Sequence, residues 1–121
     1  MKLSGEQQTE ATQIAARMTE RDERKVRKEY TAAENTAQRR GAGHGLLKSI
    51  GTLWQMLCDR SYSIPWSTRG LILFALVYFI TPVDMIPDPI PVLGYLDDAA
   101  VVGWVVSCIS DDIAAYRKAR V

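Results

Sequence analysis

Between Gly70 and Tyr116 the chain carries six aspartates and no lysine, arginine, glutamate or histidine, and 31 of these 47 residues are apolar. No other feature constrains the fold as tightly. The segment opens on LILFALVYFI at positions 71–80, apolar on every helical face, and a second apolar run follows from Ala99 to Ile109. Four of the five prolines lie between the two runs, at Pro82, Pro87, Pro89 and Pro91. Proline fixes its own φ and pushes the preceding residue toward extended backbone, so the intervening stretch is expected to be a stiff, non-helical connector. Two helices joined in this way form an apolar hairpin.

A helix that is hydrophobic all round must be covered. A domain of about 75 residues buries only about 60% of the surface its unfolded chain exposes. Lipid, further copies of the chain and a partner protein are the possible covers. The remaining 74 residues hold only 26 apolar ones, and residues 1–69 hold 12 lysines and arginines against eight aspartates and glutamates. The net charge of +1 is therefore a basic part set against an acid-only part. It argues against a mainly electrostatic nucleic-acid binder.

From Ser4 to Arg40 the chain is rich in Ala, Glu, Gln, Arg and Lys, with Gly5 as its one glycine and no proline. These are good helix formers, and a long helix is expected. Glu20 with Arg24 and Glu23 with Arg27 have the favourable acid-first, four-residue spacing. Ile14, Met18, Val26 and Tyr30 are too sparse for a coiled-coil seam, because Arg21 and Lys25 interrupt it. The expectation is an exposed, charged arm over 1–41. Segment 17–40 carries eight basic and five acidic residues, a mild excess that suits a solvated helical face first and an anionic lipid surface or nucleic acid after it.

GAGHG at 41–45 acts as a hinge. It is no phosphate loop: Leu47 stands where glycine would have to precede Lys48, and no strand leads into it. His44, the chain's only histidine, is expected to be an exposed loop residue. LLKSIGTLWQMLC at 46–58 is an amphipathic helix. Ser63-Ile64-Pro65 starts the next one, with Ser63 as a possible cap, and a last helix runs from about Ala99 to Arg120. The fold class is all-α: a long N-terminal helical arm, then over 46–121 a small bundle containing the apolar hairpin and its proline-rich connector. Cys58 and Cys108 lack metal or redox spacing and are expected to be buried in a reducing compartment. The opening MKLSGEQQTEATQ has no apolar h-region, so no cleavable signal peptide is expected and the N-terminus should be cytoplasmic.

The connector and its flanks carry a specific pattern, YFITPVDMIPDPIPVLGYLDDAAVV. With the surrounding region from Leu46 to Lys118, this resembles the YkvA-like family, a bacterial domain of unknown function. The resemblance rests on Thr81, Pro82, Asp84, Ile86, Pro87, Asp88, Ile90, Pro91, Gly94, Tyr95, Asp97 and Asp98. It covers a little over half the chain. Pro89 departs from the family's usual bulky apolar residue, and the arm has no counterpart in the motif. The resemblance implies small helical proteins, often membrane-assigned, and brings no established activity or cofactor.

Acids in apolar surroundings invite a functional reading. Asp84, Asp88, Asp97 and Asp98 are candidates for holding Mg²⁺ or Ca²⁺ through oxygen, but none is spaced like a known ion-binding loop. Turn closure by Asp84 and Asp88, and helix capping by Asp97, explain them without an ion, so no metal or cofactor is expected. Asp111 and Asp112 lack a basic residue three or four positions on; a solvated helical face, with Asp112 reaching the Tyr116 hydroxyl, is expected ahead of a functional acid pair.

Lys48, Arg60 and Arg69 precede the hairpin and Arg117, Lys118 and Arg120 follow it, which sets both ends on the cytoplasmic side of a membrane. Trp66, Arg69, Tyr116 and Arg117 are the candidate membrane-interface residues. The runs are short, however: Gly70 to Pro82 makes about 20 Å of helix and Ala99 to Ile109 about 17 Å, against roughly 30 Å of hydrocarbon. Insertion from one side therefore ranks above spanning. The sequence thus points to a small, non-enzymatic helical protein at the bacterial inner membrane that engages lipid and a protein partner or itself. A soluble cytoplasmic oligomerisation module and a metal-dependent enzyme using the aspartates are the alternatives, the enzyme the weaker because no nucleophile and base can be assembled.

Overall fold

A computed structural model of the chain describes residues 3–39, 41, 43–59, 61–80 and 98–119. Within them the protein is all-α, with α1 at Gly5–Ala16, α2 at Glu20–Arg39, α3 at His44–Cys58, α4 at Trp66–Ile80, α5 at Asp98–Cys108 and α6 at Ser110–Ala119. The start of α1 is set by a reciprocal cap. Ser4 Oγ accepts the Gln7 N–H at 3.2 Å, while Gln7 Oε1 accepts the Ser4 N–H at 2.8 Å.

The expected single N-terminal helix is broken at Arg17–Thr19. A second helix start causes the break: the Asp22 carboxylate accepts both the backbone N–H of Thr19, at 2.9 Å, and its hydroxyl, at 3.2 Å. Gly41 closes the region, its positive φ of 78° giving the left-handed turn that follows many helix ends. Gly43 caps α3, so His44 is the first residue of a helix rather than a loop residue, though it is exposed as expected. The expected last helix divides at Ile109 into α5 and α6, with the Ile113 N–H to Ile109 carbonyl bond linking them across the division.

The all-round apolar α4 lies at the centre, packed against α1, α2, α3 and α5. Its Ile72, Leu73, Ala75 and Leu76 are wholly buried, beside Val26 of α2, Ile50, Leu53 and Met56 of α3, and Val101 and Val105 of α5. Burying each of the larger side chains contributes about 1.5–3 kcal/mol. Much of the cover for the first apolar helix therefore comes from the chain itself. The charged N-terminal segment, expected to be an exposed arm, buries Ala11 and Ala15 from α1 and Val26 and Tyr30 from α2. Few apolar residues suffice because two are alanines that let the backbones approach. At Gly70 the approach is closest: a Cβ built there would lie 2.5 Å from the Ala15 carbonyl oxygen. Tyr30 adds a large contact, its ring stacked on Trp54 of α3 with centroids 4.1 Å apart.

Cover is less complete on α5, where Trp104 and Val106 are half-buried and Gly103 is exposed. Cys108, expected to be buried, is exposed at the end of this helix, and Cys58 is half-buried.

Candidate functional site

The polar side chains gather where the first turns of α4 meet α2, the end of α3 and α6. Arg69 stands at the last position before the apolar face of α4 begins, so its charge cannot follow the helix inward. It turns onto α2 instead, where Nε donates to Glu23 Oε1 at 2.7 Å and an Nη donates to Oε2 at 2.9 Å, a two-pronged pair. Arg27, one turn along α2, donates to the same carboxylate at 2.9 and 3.1 Å, and also to the Leu57 carbonyl at 3.3 Å and the Cys58 sulfur at 3.6 Å. Glu23 thus ties three helices together through two guanidinium groups.

Hydrogen bonding from Arg69 holds the Glu23 carboxyl below its ordinary range, with the Arg27 bond adding to it and partial burial opposing both. Glu23 is therefore an anion at neutral pH. Burial pushes the Cys58 thiol up, with Arg27 opposing. Tyr30 is raised as well, first by burial and then by its hydrogen bond to Glu34.

Two further bonds close this end of the bundle. Thr68, only 5% exposed, donates its hydroxyl to Asp112 Oδ2 at 2.7 Å, joining α4 to α6. Tyr116 donates to Asp59 Oδ2 at 2.9 Å and meets the Tyr62 ring edge-on at 5.0 Å. The expected Asp112–Tyr116 contact is thus replaced by two bonds to other parts of the chain. Sequence spacing suggested a local partner for Asp112, and the folded bundle brings a distant one. Next to the ion-pair cluster, Glu23, Arg27, Asp59, Tyr62, Ser63 and Arg69 line an open, mostly polar cleft of about 490 Å³. Among the described residues no buried side-chain nitrogen or oxygen lacks a hydrogen-bond partner, and no group of three acids, cysteines or histidines is placed to hold a metal. The cluster fastens the amphipathic helices to the apolar one.

Thr68 and Arg69 of this cluster stand at the edge of a segment that is similar to known proteins. The family described as a protein of unknown function, DUF1232, matches residues 68–104, starting at the Thr68 that binds Asp112. The uncharacterized membrane protein YkvA of Bacillus subtilis is 40% identical over an alignment 78 residues long that covers 61% of this chain and 74% of that protein. The chain belongs to the DUF1232 family. No solved structure matches it.

Of the family-pattern residues, Thr81, Pro82, Asp84, Ile86, Pro87, Asp88, Ile90, Pro91, Gly94, Tyr95 and Asp97 lie outside the described residues, and Asp98 is described only as the first residue of α5. The four candidate cation-binding aspartates belong to this group. The interface candidates separate. Trp66 is 49% exposed and Arg117 is exposed, whereas Arg69 is held by Glu23 and Tyr116, 3% exposed, points its hydroxyl at Asp59. Proximity to a basic chain end placed Tyr116 at an interface; its hydrogen bond and ring contact put it in the core. Sequence reasoning missed the Glu23–Arg69 pair. The available signal was an arginine at the mouth of a wholly apolar helix, which must find a counter-charge from elsewhere.

Proposed function

We propose that this protein is a non-enzymatic helical accessory protein that seats itself on one side of the bacterial cytoplasmic membrane and there engages a protein partner or another copy of itself. The observation that carries this reading is Trp66. Among the described residues it is the large hydrophobic side chain left exposed, and it sits beside Pro65 at the start of α4. An amphipathic indole in such a place suits the headgroup region of a bilayer. One-sided seating fits the rest of the fold, because the apolar faces of α4 are used against neighbouring helices, and among the described residues no helix is long and apolar enough to cross a membrane. The membrane assignment in the name of the Bacillus subtilis relative supports the same reading.

Fractionation of cells expressing the full chain tests it. The protein is expected to sediment with membranes, and Trp66→Ala is expected to shift most of it to the supernatant without changing its melting temperature by more than a degree or two. A wild-type protein found wholly in the supernatant at low and physiological salt would overturn the reading. In that case the incompletely covered α5, with exposed Gly103 beside half-buried Trp104, favours a soluble self-associating module, which light scattering without detergent would detect.

A further inference from the structure

Segment 17–40 has only a modest basic excess, but folding sorts its charges. In α2 the buried Val26 and Tyr30 define the inward direction. With about 100° between successive residues, Arg21, Lys28 and Arg39 fall within about 20° of the opposite direction, and Arg24 and Lys25 within about 60°. All five are exposed. The five acids of the same helix, Glu20, Asp22, Glu23, Glu29 and Glu34, all lie about 80° or more from that direction. Glu23 is taken by the two arginines, Asp22 by Thr19, and Glu34 by Tyr30. The ion pairs among the described residues are those of Glu23 with Arg27 and Arg69, so the outward bases are not spent on them. The outer face of α2 carries a basic strip about 10 Å long, formed by Arg21, Arg24, Lys25 and Lys28, which Thr31, Ala32 and Asn35 separate from the single base Arg39.

We propose that this strip is the surface by which the protein recognises anionic phospholipid headgroups. The inference rests on the membrane reading above and names the chemistry of the surface contacted. A row of long, flexible cations on one side of a helix, with its acids turned away, complements a plane of phosphates. The Glu23–Arg69 pair places the first turn of α2 beside the first turn of α4, so the basic strip begins at the end of the bundle that carries exposed Trp66. Cations and indole at one end form the two-part contact that holds a protein to a charged bilayer more firmly than either alone.

Sedimentation of the full chain with vesicles tests the proposal, using phosphatidylcholine alone and phosphatidylcholine with 30% phosphatidylglycerol. Binding is expected to be stronger to the anionic vesicles and to weaken as salt rises from 50 to 300 mM. Arg24→Gln with Lys28→Gln should reduce anionic-vesicle binding roughly ten- to thirty-fold. Both residues are exposed and outside the Glu23 cluster, so helicity and melting temperature serve as controls that should not move. Arg117→Gln with Lys118→Gln, which removes two exposed charges elsewhere, should have a clearly smaller effect. Equal binding to both vesicles, with no effect of the α2 pair, would overturn the proposal while leaving Trp66-dependent membrane association standing. Loss of duplex DNA binding in the α2 pair with vesicle binding unchanged would overturn it in favour of nucleic acid.

Discussion

Among the described residues the Glu23 carboxylate joins the most helices, because it neutralises Arg69 at the entrance to an apolar helix and Arg27 beside the end of α3. Its lowered pKa makes stability depend on pH. The unfolded chain takes up this proton at a higher pH than the folded one, so the contribution is complete above the ordinary glutamate range and is lost as pH falls through the folded value. The melting temperature of the wild type is expected to fall between about pH 5 and 3, and Glu23→Gln, lower at neutral pH, should fall less steeply over that window. Parallel profiles would show that the pair contributes nothing to acid stability. Thr68→Val keeps the shape of a buried side chain and removes the donor to Asp112. It is expected to lower stability by about 1–2 kcal/mol in urea titration. Such partnerships were only partly legible in the sequence. Glu23 with Arg27 follows from four-residue helical spacing and forms as expected. Thr68 with Asp112 and Arg69 with Glu23 span 44 and 46 residues, and local spacing carries no information about them.

At the scale of the helix, periodicity and capping chemistry located most elements. The amphipathic pattern after the glycine hinge became α3, and the start after Ser63-Ile64-Pro65 became α4 at Trp66. The break between α1 and α2 was missed because it contains neither glycine nor proline, although Thr19-Glu20-Arg21-Asp22 is a readable helix start. The seating of α1 on α4 was not legible, because it depends on backbone approach rather than on a stripe of large apolar residues. Gly70 tests that contact. In an isolated helix, Gly→Ala would gain up to about 1 kcal/mol. Here the added carbon would press on the backbone carbonyl of Ala15, with no flexible side chain to move aside. Gly70→Ala is therefore expected to destabilise the protein by about 1–3 kcal/mol in spite of its propensity, as measured by urea unfolding. A stabilised variant would show that α1 packs elsewhere.

For the whole molecule, the apolar hairpin that dominates the sequence is also what makes the N-terminal segment part of the bundle. The charged chain spends its few apolar residues on α3 and α4 and turns most of its bases outward, so one helix covers the core with Val26 and Tyr30 and presents Arg21, Arg24, Lys25 and Lys28 to the surroundings. Family membership was legible because its pattern is long and specific, whereas the outward sorting of charge required the helix to be seated. The central claim, one-sided attachment to an anionic membrane, is tested most directly by the depth of Trp66. In a Trp54→Phe, Trp104→Phe background Trp66 is the one indole left, since the chain has three tryptophans. With phosphatidylglycerol-containing vesicles brominated at different acyl depths, its fluorescence should be quenched strongly by shallow bromines and weakly by those near the bilayer centre. Absence of quenching at every depth, or strongest quenching at the centre, would contradict the account.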